Sequence, residues 1–251
     1  HHHGHQHGHH HDERPADFDW EAMADSLELD GAMLLPIVHD VARDLGATTD
    51  WSSLRHVIDV GCGPGVITAA LARLAPRATI TALDSSQPLL ARVEARAAAE
   101  ALAARVATVQ ADLDQRLPHL APADVIWASM VLHHVADPPA VLASLHQQLR
   151  PGGTLTIVEF AGPAAVLPQD DPLLATGVWS RLEALTAEVI RERIGSDPWR
   201  MDWPQWLAAA GFDAISERTR VAYHDTPLSA EGRRWVAQHV NRGLRMGDER
   251  I

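Results

Sequence analysis

The sequence contains no lysine: all 21 of its basic residues are arginine. Without an ε-amino group the chain has no Schiff-base nucleophile, no Walker-A phosphate ligand and no kinase-type phosphate lysine, so those enzyme classes are excluded. Cysteine is nearly absent too. Cys62 stands alone, which rules out a disulfide framework and a CxxC metal site and makes a reducing cytoplasm the expected setting. Long apolar runs are missing: the longest, near Val125–Leu132, is far short of the ~20 residues of a bilayer span. No basic stretch followed by an apolar one opens the chain, so no secretory signal is expected. Positive charge is in deficit, with 21 basic against 33 acidic residues for a net charge of −12. A field of that sign repels polyphosphate, and nucleic acid is not an expected partner.

What remains is the composition of an ordinary globular protein, 251 residues with 46% hydrophobic and 22% charged, enough for one α/β domain with a small accessory cap. Residues 1–11 read HHHGHQHGHHH and hold eight of the 16 histidines with nothing apolar to bury. They predict a flexible tail over 1–16, a candidate for Zn, Ni or Cu through neutral imidazoles; metal ligands elsewhere stay unassigned. From Asp19 the pattern turns helical, with Trp20, Met23 and Leu27 and then Met33, Leu34, Ile37, Val38 and Val41 ending at Gly46, which predicts two helices over 17–50.

Short apolar runs then alternate with helical stretches. Strands are expected at His56–Val60, Thr79–Leu83, Val106–Gln110, Asp124–Met130 and Thr154–Phe160, the last preceded by a Pro151-Gly152-Gly153 turn; helices are expected at Val66–Leu74, Pro88–Ala104 and Pro139–Leu149. That rhythm predicts a doubly wound, mostly parallel α/β sheet covered on both faces. Beyond it, residues 171–195 read as one long helix, followed by a helix Pro204–Ala210 capped by Gly211, a strand from Ala214 to about Tyr223, and a helix from Ser229 to Met246.

The informative segment is Asp59-Val60-Gly61-Cys62-Gly63-Pro64-Gly65, a strand running into a glycine turn that opens a helix. Glycines there leave no Cβ to block a ligand. Nicotinamide sites also place such a turn after the first strand, but their fingerprint sets the third glycine three positions after the second, where Gly65 follows Gly63 by two. A carboxylate such as Asp59 within ~4 Å of a pyrophosphate charge would cost about 4 kcal/mol at an effective dielectric of 20. The same carboxylate favours a cationic ligand.

On these residues the chain resembles the class I S-adenosylmethionine-dependent methyltransferases, whose first motif has this Asp-x-Gly-x-Gly-x-Gly form. The likeness runs over about residues 55–160 through five ordered motifs, and it is similar to the small-molecule branch that includes ubiquinone and menaquinone biosynthesis enzymes, which share the Leu132-His133-His134-Val135 stretch. The resemblance implies a Rossmann-like core over 51–162, an N-terminal helical lid over 17–50, and a helical cap with a remaining strand and C-terminal helix over 163–251. It implies that Asp59, Gly61, Cys62, Gly63 and Gly65 line the cofactor, with S-adenosylhomocysteine the product. Asp84 would accept from the ribose hydroxyls and Asp112 would receive the adenine amino group with Leu113 packed on the ring; Ser85, Ala111 and Ser129 would line the cofactor as well. The family ends on a sixth and a seventh strand, and only one candidate strand follows Phe212.

His133 and His134 follow the fourth strand at the edge where acceptors bind, and a neutral imidazole takes a proton from a hydroxyl or amine. Glu159, at the end of strand five, is a second base candidate. Each also has a packing role open to it, as do Trp20, Met23 and the tryptophans of the last third. The expected function is therefore methyl transfer to an oxygen, nitrogen or carbon nucleophile of a small molecule. The alternatives are a cofactor-binding domain that performs a reaction other than methyl transfer, and a metal-handling protein acting through its histidine tail.

Overall fold

Val57, Ile58, Val60, Ile80, Leu83, Val125, Ile126 and Ala128 are all buried within a few percent of complete, and a strand buried on both faces must be apolar at consecutive positions. These runs form the centre of the sheet. The computed structural model describes residues 20–162, 172–194 and 201–248. The described residues hold one five-stranded parallel sheet, β1 (His56–Val60), β2 (Thr79–Asp84), β3 (Val106–Gln110), β4 (Ala123–Ser129) and β5 (Leu149–Val158), in the order β3-β2-β1-β4-β5. The helices are α1 (Trp20–Leu45), α2 (Val66–Leu74), α3 (Gln87–Ala99), α4 (Pro138–His146), α5 (Pro172–Ala175), α6 (Val178–Ile194), α7 (Trp203–Ala209) and α8 (Ala230–Asp248). Strand order reverses between β1 and β4, and the crevice outside their carboxyl ends is where open α/β sheets bind ligands.

One side of the sheet packs through Val57, Leu71, Ile80 and Trp127 against α1, α2 and α3, and the other through Ile58, Ile126, Leu132 and Leu142 against α4 and α7. Asp124 ties the opposite end of the sheet together: one carboxylate oxygen accepts the N–H groups of Arg55 and His56, and the other pairs with Arg150 Nε at 2.6 Å.

Five expectations change. The two N-terminal helices are one, because buried Ala24, Val38 and Ala42 and half-buried Gly31, Leu35 and Leu45 keep a single packed stripe through Pro36, and packing along that stripe outweighs the lost backbone bond. The helix expected to reach Ala104 stops at Ala99: Ala101 takes φ +58, and Leu102 N–H and Ala101 N–H return to the carbonyls of Ala97 and Ala98, a Schellman stop in which alanine stands where glycine is usual. The long helix over 171–195 is broken at Gly177, φ +69, into α5 and α6. Residues 214–223 form no strand; Arg218 and Arg220 turn to Asp44 at the end of α1, leaving Val221 60% and Tyr223 84% exposed. The Pro151-Gly152-Gly153 turn lies inside β5, where the ladder with β4 shifts register between Ala123 and Val125. The histidine tail and Trp199 fall outside the described residues.

Candidate active site

The glycine turn sits at the point where strand order reverses. Gly61 has φ +63, and a Cβ there would lie inside the side chain of Val131, two residues past β4; the ends of β1 and β4 thus approach closely. Gly63, at φ +53, has nothing within 4 Å of a built Cβ, so the turn is open on that side. Gly65 ends the turn in the left-handed region and precedes α2. From behind, Arg96 of α3 donates to Pro64 O at 3.3 Å and pairs with Glu28 of α1 at 3.4 Å. Gly31 of α1 packs on Val66. The first helix is thus docked against the turn.

Two acidic residues meet the turn and a third lies on the loop after β3. Asp59 is 2% exposed and takes a 2.6 Å hydrogen bond from the Thr68 hydroxyl of α2. Burial, with the Asp84 charge adding to it and the Thr68 bond opposing, pushes its carboxyl up to about 7. Asp84, at the end of β2, accepts Gly63 N–H on Oδ2 and Ser86 N–H on Oδ1, each at 2.9 Å. Asp112 is exposed and accepts Asp114 N–H at 3.0 Å, while Ala111 N–H reaches Asp84 O at 2.9 Å and joins the third loop to the second. Leu113 packs at the rim of the core, and Ser85 is exposed with its carbonyl accepting from Gln110. Cys62 is buried, and its thiol is raised by burial and by Asp59 and Asp84. It stays protonated and is a small residue in a tight turn rather than a nucleophile.

On the β4–β5 side, Ser129 Oγ accepts the indole N–H of fully buried Trp127 at 2.6 Å. Met130 follows at φ +56, a conformation that costs a non-glycine residue about 1 kcal/mol. It throws the chain into a short 3-10 helix, Leu132–His134. Glu159, just past β5, closes that loop: Oε1 accepts Val131 N–H at 3.2 Å and Leu132 N–H at 2.8 Å, and Oε2 lies 2.6 Å from His133 Nδ1. Both side chains of this pair are about 95% buried. Glu159 therefore holds both His133 and the loop that carries it. Exposed His134 lies against the His133 ring at 3.9 Å between centroids, and Phe160, 45% exposed, at 5.2 Å.

The structure thus brings Asp59, Gly61, Cys62, Gly63, Gly65 and Asp84 to one turn, and His133, His134 and Glu159 to the neighbouring loop. Reasoning from sequence missed Thr68, Trp127, Met130 and Val131. Thr68 carried a usable signal, since a hydroxyl on the first turn of α2 faces the strand that precedes it; Met130 carried none. The tryptophans of the cap divide: Trp203 and Trp206 meet edge to face on the core, while Trp235 of α8 donates to Asp30 of α1 at 2.7 Å.

Comparison with known proteins agrees with this geometry. A family model described as "Methyltransferase domain" matches residues 58–155. Over 116 residues the chain is 40% identical to the trans-aconitate 2-methyltransferase of Azoarcus sp. strain BH72, covering 46% of this chain and 43% of that protein. It is 30% identical over 208 residues to the trans-aconitate 2-methyltransferase of Methylobacterium radiotolerans, covering 80% of this chain and 67% of that one. Among solved structures, an O-methyltransferase family protein from Burkholderia thailandensis superposes with a TM-score of 0.55 at 19% identity, over 80% of this chain and 56% of that one; at that identity the likeness is one of fold. The chain spans about half the length of the first curated relatives it matches. It belongs to the class I S-adenosylmethionine-dependent methyltransferase family.

Proposed function

We propose that this chain transfers a methyl group from S-adenosylmethionine to a nucleophilic oxygen, nitrogen or carbon of a small molecule. The observation that carries the reading is the juxtaposition at one sheet edge of an open glycine turn flanked by Asp59 and Asp84 and a buried His133–Glu159 pair. The turn fits the cofactor: Gly63 leaves its face open, and Asp59 and Asp84 favour cationic over phosphate-bearing ligands. Bound there, S-adenosylmethionine supplies an electrophilic methyl group. Asp84 would hold the ribose hydroxyls, Asp112 the adenine amino group with Leu113 against the ring, and Gly61 and Gly63 would let the backbone approach.

Glu159, accepting two backbone N–H groups, is a carboxylate, so the proton of the His133 contact sits on Nδ1. That leaves Nε2 with a lone pair to take the acceptor's proton. The rest of the rate comes from holding acceptor and methyl in line. α1 serves as the N-terminal lid, tied to α3 by Arg92 and Arg96 with Asp25 and Glu28. One unpaired cysteine, buried, suits a cytoplasmic setting, and no described helix is long and apolar enough to cross a membrane.

Mass spectrometry of small molecules that co-purify with the protein tests the reading. S-adenosylmethionine or S-adenosylhomocysteine is expected, and acceptor conversion should add one methyl mass. A product of any other mass difference would assign the domain to a reaction other than methyl transfer.

A further inference from the structure

Three carboxylates close to the two ends of the sheet are buried, and they are not alike. Glu159 faces two N–H groups and His133, and Asp124 faces two N–H groups and Arg150. Asp59, 2% exposed, takes a hydrogen bond from the Thr68 hydroxyl alone among the described residues. The groups facing it are Asp84 from β2, Cys62 from the turn and Thr68 from α2, and its partners in the sheet are Ala82 and Trp127. Among the described residues no basic side chain pairs with it. A buried carboxylate with a neighbouring acid and no cation holds its proton more tightly than one in water.

We propose that Asp59 carries a proton in the free protein and gives it up when the positively charged cofactor settles on the glycine turn, so that cofactor binding releases a proton. The inference rests on the cofactor reading above. Asp59 lies two residues before Gly61, beneath the turn, and a cation there supplies the partner that the fold withholds. S-adenosylmethionine brings two cationic centres, its sulfonium and its α-ammonium; S-adenosylhomocysteine keeps only the second. The direction of the Asp59 carboxyl, raised toward neutrality, agrees. Affinity should therefore weaken by about tenfold per pH unit below neutrality and level off above it.

Calorimetric titration of the whole chain with S-adenosylmethionine at about pH 6.5, in two buffers of different ionisation enthalpy, reads the proton directly. The expected result is a binding heat that differs between buffers by most of one proton. In Asp59→Asn, which keeps an acceptor for Thr68, the difference should vanish. Infrared difference spectra should show a protonated carboxyl band lost on binding, which needs no variant. Release with both S-adenosylmethionine and S-adenosylhomocysteine assigns the partner as the ammonium; release with the former alone assigns the sulfonium. Binding with equal heats in both buffers overturns the proton linkage and leaves the cofactor reading standing, as does proton release that persists in folded Asp59→Asn. No binding at any pH overturns both.

Discussion

His133 and Glu159 are bonded at 2.6 Å through Nδ1 and Oε2, while the other carboxylate oxygen holds the two backbone N–H groups that open the 131–134 loop. The carboxylate thus fixes both the tautomer of the imidazole and the path of the loop that carries it. Glu159→Gln keeps an oxygen for the backbone but presents an amide donor to Nδ1, which reverses the tautomer. Single-turnover methyl transfer should fall by about 10²-fold while S-adenosylmethionine affinity stays within about threefold. A loss of less than about threefold in a folded variant would reduce the pair to loop architecture and leave proximity as the source of rate.

Asp59 links function to a stability deficit. Its carboxyl titrates at about 7 in the folded chain and in the ordinary carboxylate range when unfolded, so the native state holds an extra proton between those values. Stability of the free protein then falls as pH rises through that window, and the deficit is complete only above neutrality. Asp59→Asn removes it. The variant's gain over wild type should be about 2 to 3 kcal/mol larger at pH 8 than at pH 5, measured by urea unfolding. A gain independent of pH would show that Asp59 is ionised in the free protein.

Gly61 and Gly63 share a positive φ but differ in what surrounds them. Gly61→Ala drives a methyl group into Val131 and should destabilise the fold by about 2 to 4 kcal/mol, partly relieved by adding Val131→Ala. Gly63→Ala meets open space, so the strain of its φ, about 1 kcal/mol, is the main stability cost, and the larger effect should be on cofactor affinity. Thermal unfolding and titration of both variants separate the two effects; equal unfolding midpoints for Gly61→Ala and wild type would contradict the close approach of β1 and β4.

Ala101 occupies the left-handed position of a Schellman stop. Ala101→Gly removes the Cβ penalty at the cost of some chain entropy, and a net gain of about 0.5 to 1 kcal/mol is expected. A lower unfolding midpoint would contradict that account.

The parts of the fold that were legible in the sequence are those governed by local pattern. β4 reads as an apolar run from Val125 to Ala128, and β1 as one broken by Asp59, because both their faces are covered, and the turn between β1 and α2 announced itself by three glycines around one cysteine. The stop after Ala99 was hidden because an alanine does a glycine's work. Continuity through Pro36 was hidden because it depends on a surface that α1 meets only in the folded chain. Residues 214–223 alternate like a strand, yet their arginines find Asp44 instead of a ladder. In the site, the cofactor turn was legible as a motif. The bond between His133 and Glu159 was not, since it joins residues 26 apart in sequence through two parallel strands.

The central claim, that the glycine turn between β1 and α2, flanked by Asp59 and Asp84, is the S-adenosylmethionine site, is tested most directly by calorimetric titration of S-adenosylmethionine into wild type and Asp84→Asn. Asparagine can still accept the Gly63 N–H but offers no charge to the ribose hydroxyls, and charge-assisted bonds are worth about 1.5 to 3 kcal/mol. One site per chain is expected in wild type, with affinity at least tenfold weaker in the variant. A wild type that binds no S-adenosylmethionine, or a folded Asp84→Asn that binds it unchanged, would contradict the account.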